Sequence, residues 1–277
     1  MKVIVTGAAG QLGQALQLTF RDHDVTPLTR EQLDIGRLDD VRAALGACHA
    51  DLVLNAAAYN QVDAAETSPE DAFRGNALGP RNLALATAER GIPVLHVSSD
   101  YVFDGQGRRP YHEFDRTGPR SAYGESKLAG EESVRALNPR HYVVRTAWLF
   151  SATGKNFART MIGLRERPEV RVVSDQYGSP TYVPHLAAAI GRLVGTGAFG
   201  TYHLAGAGGA SWFDLTRRLY AELGIDTNVQ PVATADFPRP ARRPAYSVLT
   251  TLQDPSILLP PWEEGVAELA RTIVREA

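Results

Sequence analysis

Through its first 150 residues the chain alternates short apolar runs with longer helix-like stretches, and this rhythm constrains the fold more than any other feature. KVIVTG, DVTPLT, DLVLNAAAY, PVLHVSSDYVF and HYVVRTAWLF read as strands. Between them, QLGQALQLTF, LDDVRAALGACH, PEDAFRGNALGPRNLALATAERG and SAYGESKLAGEESVRAL read as helices. Apolar runs spaced by helices suit strands covered on both faces, as in a parallel sheet between helical layers. Right-handed crossovers then give an α/β fold with a doubly wound parallel sheet. After Phe150 the rhythm changes, with helices at KNFARTMIGLRER, YVPHLAAAIGRLV, WFDLTRRLYAELG and EEGVAELARTIV. VRVVSD and TYHLAG read as strands there, and the proline-rich DFPRPARRPAYS as irregular chain. The expectation is a dinucleotide-binding domain over residues 1–149 and a smaller C-terminal substrate lobe over 150–277. Segments near 170–204 are expected to return to the first sheet.

Charge and cysteine content exclude several functions. A formal net charge of −2 gives no general attraction to nucleic acid or to an anionic membrane. An anionic ligand therefore needs a local basic pocket. Cys48 is the single cysteine, so no internal disulfide or thiolate metal cluster can form. The seven histidines show no metal-ligand spacing, and no Gly-x-Ser-x-Gly elbow is present. No metal is expected. The strand that begins at Lys2 leaves no room for a signal peptide, and no apolar run reaches the roughly 18 residues of a membrane span. These features read as a soluble, cytoplasmic protein. The Glu113–Asp115 stretch reads as a solvated loop or helix entry.

The first strand runs into Gly7-Ala8-Ala9-Gly10-Gln11-Leu12-Gly13 and then a helix. Gly7 permits a tight turn, Gly10 lets backbone approach a pyrophosphate, and Gly13 lets the helix pack close to the strand. Helix amides and dipole then face the phosphates. Near the end of the second strand stands Arg30 where an NAD-selective site usually carries an acid. Arg30 either pairs with the 2′-phosphate of NADP or is an ordinary solvated arginine. The reading leans to NADPH and leaves NADH open. Asp34 lies further along, late for the ribose. Small residues at Ala56, Ala57 and Ala58 allow a flat group to lie on the backbone, or simply tight helix packing.

Tyr123-Gly124-Glu125-Ser126-Lys127 places a phenol and an ammonium four residues apart on one helix face. A nearby cation favours phenolate and is expected to lower the tyrosine pKa, making Tyr123 a proton donor near neutral pH. Alone, such a pair is common on surfaces. Here it follows a nucleotide fingerprint and a strand ending in Ser98-Ser99-Asp100, where Ser99 or Ser98 can polarise a carbonyl. A nicotinamide then supplies hydride, Tyr123 the proton, Ser99 a hydrogen bond to the same oxygen, and Lys127 a contact to the ribose.

The chain resembles the dTDP-4-dehydrorhamnose reductase family across nearly its whole length. The resemblance rests on TGAAGQLG, LNAAAYNQVDAAE, SSDYVFDG, YHEFD, AYGESKLAGEE, RTAWLF, NFARTM, VVSDQYGSPT, YHLAGAGGASWFDL and ARRPAYSVL, in that order. It implies an extended short-chain dehydrogenase fold and reduction of the 4-keto group of a dTDP-6-deoxyhexulose to dTDP-L-rhamnose. It implies that Tyr123 is the acid and Lys127 its partner. Gly10 to Gly13, Asp34, Ile35 and Ala56 to Ala58 fall where family members touch the cofactor. Ser99, Asp100 and Trp148 fall where they touch the sugar nucleotide, and Asn156, which opens NFARTM, is assigned to the same substrate site. The chain departs from the family in having Ser99 for a threonine, Tyr246 before Ser247 and Asn60 after AAAY. Arg242 and Arg243, in a proline-stiffened loop, suit bidentate contacts to a diphosphate or form a solvated basic loop. Trp148 either packs on ligand or is core, and Trp212 is expected to be core. An epimerase or a 6-deoxy-talose-forming reductase of the same superfamily, and a non-catalytic subunit on the same fold, are the rival readings. The expected partner is a dTDP-sugar, and the protein is a monomer or homodimer.

Overall fold

The computed structural model describes residues 1–253 and 257–276. The elements in chain order are β1 (Lys2–Thr6), α1 (Gln11–Thr19), β2 (Asp24–Leu28), α2 (Leu38–Cys48), β3 (Leu52–Asn55), α3 (Pro69–Phe73), α4 (Gly79–Ala88), β4 (Val94–Ser99), α5 (Ala122–Leu137) and β5 (His141–Thr146). They continue with β6 (Leu149–Phe150), α6 (Phe157–Gly163), β7 (Glu169–Val173), β8 (Tyr177–Gly178), β9 (Thr181–Tyr182), α7 (Val183–Thr196), β10 (Gly200–His203), β11 (Ala210–Ser211), α8 (Trp212–Leu223), β12 (Asn228–Val232) and α9 (Trp262–Glu276).

The main sheet has the order β2-β1-β3-β4-β5-β10, and every pair in it is parallel. Its inner strands carry apolar side chains to both faces. Val3, Val5, Leu52, Leu54 and Leu95 pack with Leu12 and Leu16 of α1 and with Leu186 and Ile190 of α7. On the other face Ile4, Val53, Val94 and Val143 pack with Val41, Leu45 and Leu83 of α2 and α4 and with Val134 of α5. Pro27 sits in β2, which is an edge strand, where its missing N–H costs no central ladder bond. The order reverses between β1 and β3, and the crevice above the carboxyl ends of those strands is where such sheets bind ligands.

Of residues 170–204, α7 and β10 lie with the main sheet, while β7 pairs with β12 in a separate two-stranded ladder. A second core forms where β7, α6, α8 and α9 meet, around Met161, Val172, Leu215, Leu219, Trp262 and Val266.

One expected helix differs. The run Pro69–Gly91 was a single helix by pattern, yet residues Arg74–Leu78 between α3 and α4 form a π turn. Packing against α5 accounts for it. A Cβ on Gly130 of α5 would lie 2.1 Å from the Asn76 carbonyl oxygen, so only glycine permits that approach. The buried Asn76 side chain accepts from the Tyr59 amide at 2.8 Å and donates to the Tyr59 carbonyl at 3.0 Å and to Ser126 Oγ at 3.1 Å. A π turn at a residue with such contacts fits the tendency of these turns to mark functional regions.

Candidate active site

The glycine turn adopts the shape its sequence demands. Gly7 has φ +68°, and a Cβ there would lie 2.5 Å from the Ala57 amide nitrogen. A Cβ on Gly13 would lie 2.3 Å from the Gly7 carbonyl oxygen, so α1 presses directly on the turn. Gly10 caps α1 without a side chain, which leaves the first amides of the helix open toward the crevice. That cradle fits a pyrophosphate. A cleft of about 610 Å³ opens from it, lined by Gly7, Gly10, Arg30, Asp34, Ile35 and Ala56 to Ala58, all anticipated from sequence. Leu12 is buried in the core, and the Gln11 side chain accepts from Ser151 Oγ at 2.9 Å, so only their backbone faces the turn.

Two arginines line the cleft, Arg30 and Arg74. Arg74, missed in the sequence, donates to Asp34 at 2.7 Å. Burial pushes the Asp34 carboxyl up, but Arg74, the Gly36 amide and Arg30 outweigh it and hold it below its ordinary value. Arg30 is exposed and makes no ion pair among the described residues. Arg30 thus remains available to an incoming phosphate.

Beyond the cleft, at the carboxyl end of β4, lie the chemical groups. Ser121 caps α5 by accepting from the Gly124 amide at 3.1 Å, and Glu66 accepts from the Ala122 amide at 2.9 Å. These contacts fix the start of α5, whose first turns carry Tyr123 and Lys127 on one buried face. Tyr123 belongs to a small cluster with Ala65 and Ala72 against which Tyr59, a cleft-lining residue, packs, and it meets Tyr101 edge-on with ring centroids 5.3 Å apart. The Lys127 ammonium donates to the Val97 carbonyl at 2.7 Å.

The expected lowering of the Tyr123 pKa is not what the structure gives. Burial raises it, the neighbouring Asp100 carboxylate raises it further, and the hydrogen-bonding contact with Ser99 only partly opposes them. Lys127 does not offset these effects: its ammonium is directed at the Val97 carbonyl, and burial pushes its own pKa down to about 8. The phenol is therefore held protonated, the form a proton donor needs.

Ser99 Oγ donates to Asp100 Oδ1 at 2.9 Å, and Ser247 Oγ donates to Asp100 Oδ2 at 2.6 Å. Ser247 lies in the proline-rich C-terminal segment, and the sequence reading placed it in a family motif without giving it a task in the site. The same segment is bolted down by Arg243, whose guanidinium meets Asp63 at 2.8 and 3.0 Å. Arg242 is exposed and ion-paired with no described residue, so the two arginines do not act as a matched pair.

Other residues singled out by the sequence take the following places. Trp148 takes a left-handed φ of +47° and stacks on Trp212 at 3.5 Å with ring planes 4° apart. Trp212 is half-buried and packs against the second core, in keeping with the expectation, and its indole N–H donates to the buried Gln176 at 3.2 Å. Asn156 caps α6 by accepting from the Arg159 amide at 3.0 Å and donates to the Ser151 carbonyl at 3.0 Å. Its side chain is thus occupied by the local fold. Glu113 is buried, not solvated. It accepts from the His203 amide at 2.9 Å, from Thr251 Oγ1 at 2.5 Å and from the Leu252 amide at 3.0 Å. Among the described residues no cluster of three His, Cys, Asp or Glu side chains could hold a metal ion. No helix among them is long and apolar enough to cross a membrane.

Comparison with known proteins agrees with this geometry. Residues 1–275 match the family described as the RmlD substrate binding domain. The dTDP-4-dehydrorhamnose reductase of Mycobacterium tuberculosis is 44% identical over 262 residues, covering 91% of this chain and 86% of that protein. The chain belongs to the dTDP-4-dehydrorhamnose reductase family. A crystal structure of the Bacillus anthracis reductase in complex with NADP is 38% identical and superposes with a TM-score of 0.96, covering 98% of this chain and 99% of that one. A probable dTDP-4,6-dihydroxy-2-methyloxan-3-one 4-ketoreductase of Streptomyces antibioticus is 44% identical over 257 residues, covering 90% of this chain and 86% of that protein. The extended short-chain dehydrogenase fold expected from sequence is thus the fold of this family's reductases.

Proposed function

We propose that the protein is an NADPH-dependent dTDP-4-dehydrorhamnose reductase, converting dTDP-4-dehydro-β-L-rhamnose to dTDP-L-rhamnose. The observation that carries this reading is the placement of the Tyr123 phenol and the Ser99 hydroxyl together at the carboxyl end of β4, beside the crevice where strand order reverses. The open α1 amides and Gly10 hold the cofactor's pyrophosphate, and Ala56 to Ala58 give it a flat wall. A bound reduced nicotinamide supplies the hydride to the sugar's carbonyl carbon. Tyr123 gives its proton to the oxygen on which charge develops, and Ser99 donates a hydrogen bond to that oxygen. Lys127, on the same buried helix face as Tyr123 and held by the Val97 carbonyl, is the cation assigned to the ribose hydroxyls. Arg242 serves the substrate diphosphate, and Arg243 fixes the segment that carries it. Trp148 forms a wall of the sugar-nucleotide site. A reaction that draws on NADPH and a dTDP-sugar fits a cytoplasmic enzyme.

The test is incubation with the dTDP-keto-sugar and NADPH. One NADPH oxidised per sugar, with dTDP-L-rhamnose identified by NMR, is expected. Product without net NADPH consumption indicates an epimerase and rejects the proposal. The likeness to the Streptomyces antibioticus ketoreductase favours a second reading, reduction of a related dTDP-deoxy-ketosugar, and the same product analysis decides it.

Arg30 sets the cofactor. Arg30→Ser is expected to raise KM for NADPH about tenfold, the effect of one charged contact of about 1.4 kcal/mol, and to leave KM for NADH nearly unchanged. Initial rates with each cofactor measure this. Equal changes for both cofactors would remove Arg30 from the 2′-phosphate.

A further inference from the structure

Asp100 is a buried carboxyl that the mechanism above leaves without a task. An ionised carboxylate can only accept hydrogen bonds. With Asp100 ionised, the Ser99 and Ser247 hydroxyls must therefore both spend their protons on it, at 2.9 and 2.6 Å. Ser99 Oγ also accepts from the Tyr101 amide at 3.2 Å. In that state Ser99 has no proton left for a substrate oxygen. A neutral Asp100 reverses the bond: its O–H donates to Ser99 Oγ, and the Ser99 proton turns free.

We infer that Asp100 works as a neutral acid that aims the Ser99 hydroxyl at the substrate oxygen, and that Ser247, reaching in from the C-terminal segment, sets how readily Asp100 holds that proton. Asp100 and Ser247 are positioning residues here, acting through Ser99. No proton leaves Asp100 during the cycle; only the direction of hydrogen bonds changes.

The surroundings shift Asp100 toward the neutral form relative to an ordinary carboxyl. From its own turn Asp100 meets Ser99 and Tyr101, from α5 the protonated Tyr123 phenol, and from the C-terminal segment Ser247. The cations nearby are taken elsewhere, Arg243 by Asp63 and Lys127 by the Val97 carbonyl. Burial raises the Asp100 pKa to about 6, while the Ser247 and Ser99 hydrogen bonds pull it back. A substrate in the site excludes more water and shifts the balance further toward the acid.

The inference rests on the proposed reductase reading, and the experiment separates the two. kcat/KM for the dTDP-keto-sugar is measured from pH 5 to 9 for wild type, Ser247→Ala, Ser247→Cys and Asp100→Asn. Wild-type activity is expected to fall as pH rises through the Asp100 titration. Removing the Ser247 hydroxyl takes a hydrogen bond from the carboxylate, so the midpoint moves up by on the order of one pH unit. Ser247→Cys, with its weak donor and similar volume, moves it the same way. Asp100→Asn removes this limb. Infrared titration of the same proteins without ligand is expected to show a protonated carboxyl band whose midpoint shifts upward in Ser247→Ala and which is absent in Asp100→Asn. An unshifted kinetic midpoint in every variant, or no such band, overturns the inference while wild-type turnover preserves the reductase reading. A wild type that reduces no dTDP-keto-sugar overturns both.

Discussion

Replacing Tyr123 with phenylalanine is expected to lower kcat by about 10²- to 10⁴-fold, the usual worth of a positioned general acid, with little change in KM. The phenol's hydroxyl contacts Ser99, and its loss leaves the ring's edge-on contact with Tyr101 and its place in the small cluster with Ala65 and Ala72 intact. The variant should therefore melt close to wild type, and steady-state kinetics with NADPH isolates the chemical effect. Wild-type turnover in a folded Tyr123→Phe variant would mean that the proton comes from elsewhere.

The largest stability effect is expected at Glu131, which lies on α5 one turn beyond Lys127. Its carboxylate is buried and accepts from Arg145 Nε at 2.9 Å and from a second Arg145 nitrogen at 2.8 Å. Arg135 adds a third contact at 2.8 Å. Arg145 is buried too, with its guanidinium 5.2 Å from the Phe103 ring centroid. Glu131→Ala leaves that guanidinium without its partner in the interior, which is expected to cost about 3–5 kcal/mol in urea unfolding at neutral pH. Burial pushes the Glu131 carboxyl up, but Arg145 and Arg135 outweigh it and hold it below its ordinary value. A depressed native pKa means that the pair's stabilisation is complete above the ordinary carboxylate range and is lost as pH falls through the native value. The deficit of Glu131→Ala should therefore shrink in acid. A deficit that is small at pH 7, or that does not change with pH, would show that the pair contributes little.

What could be read from the sequence was local. Gly7, Gly10 and Gly13 announced the turn because each backbone constraint belongs to one residue, and the Tyr123–Lys127 spacing announced a shared helix face because four residues make about one turn. The cleft wall at Ala56 to Ala58 followed from the same strand-end reasoning. What escaped depends on chain segments far apart. Asp100 and Ser247 meet across 147 residues, Asp63 and Arg243 across 180, and no periodicity encodes either pairing. The direction of the Lys127 ammonium was lost for the same reason, since the carbonyl that holds it is on β4, 30 residues earlier. The π turn at Asn76 depends on Gly130 of another helix, so its own sequence gave no sign of it. Asn156, placed by its motif at the substrate site, also caps a helix, a task that asparagine performs well and that its own sequence did not reveal.

Turnover of the dTDP-keto-sugar with NADPH deuterated at the transferable position of the nicotinamide ring, followed by NMR of the product, tests most directly whether Tyr123 protonates an oxygen whose carbon receives hydride in this crevice. Deuterium at C4 of the sugar, formed rapidly by wild type and about 10²- to 10⁴-fold more slowly by Tyr123→Phe, is the expected result. Product free of deuterium at C4, or equal rates from the two proteins, would contradict it.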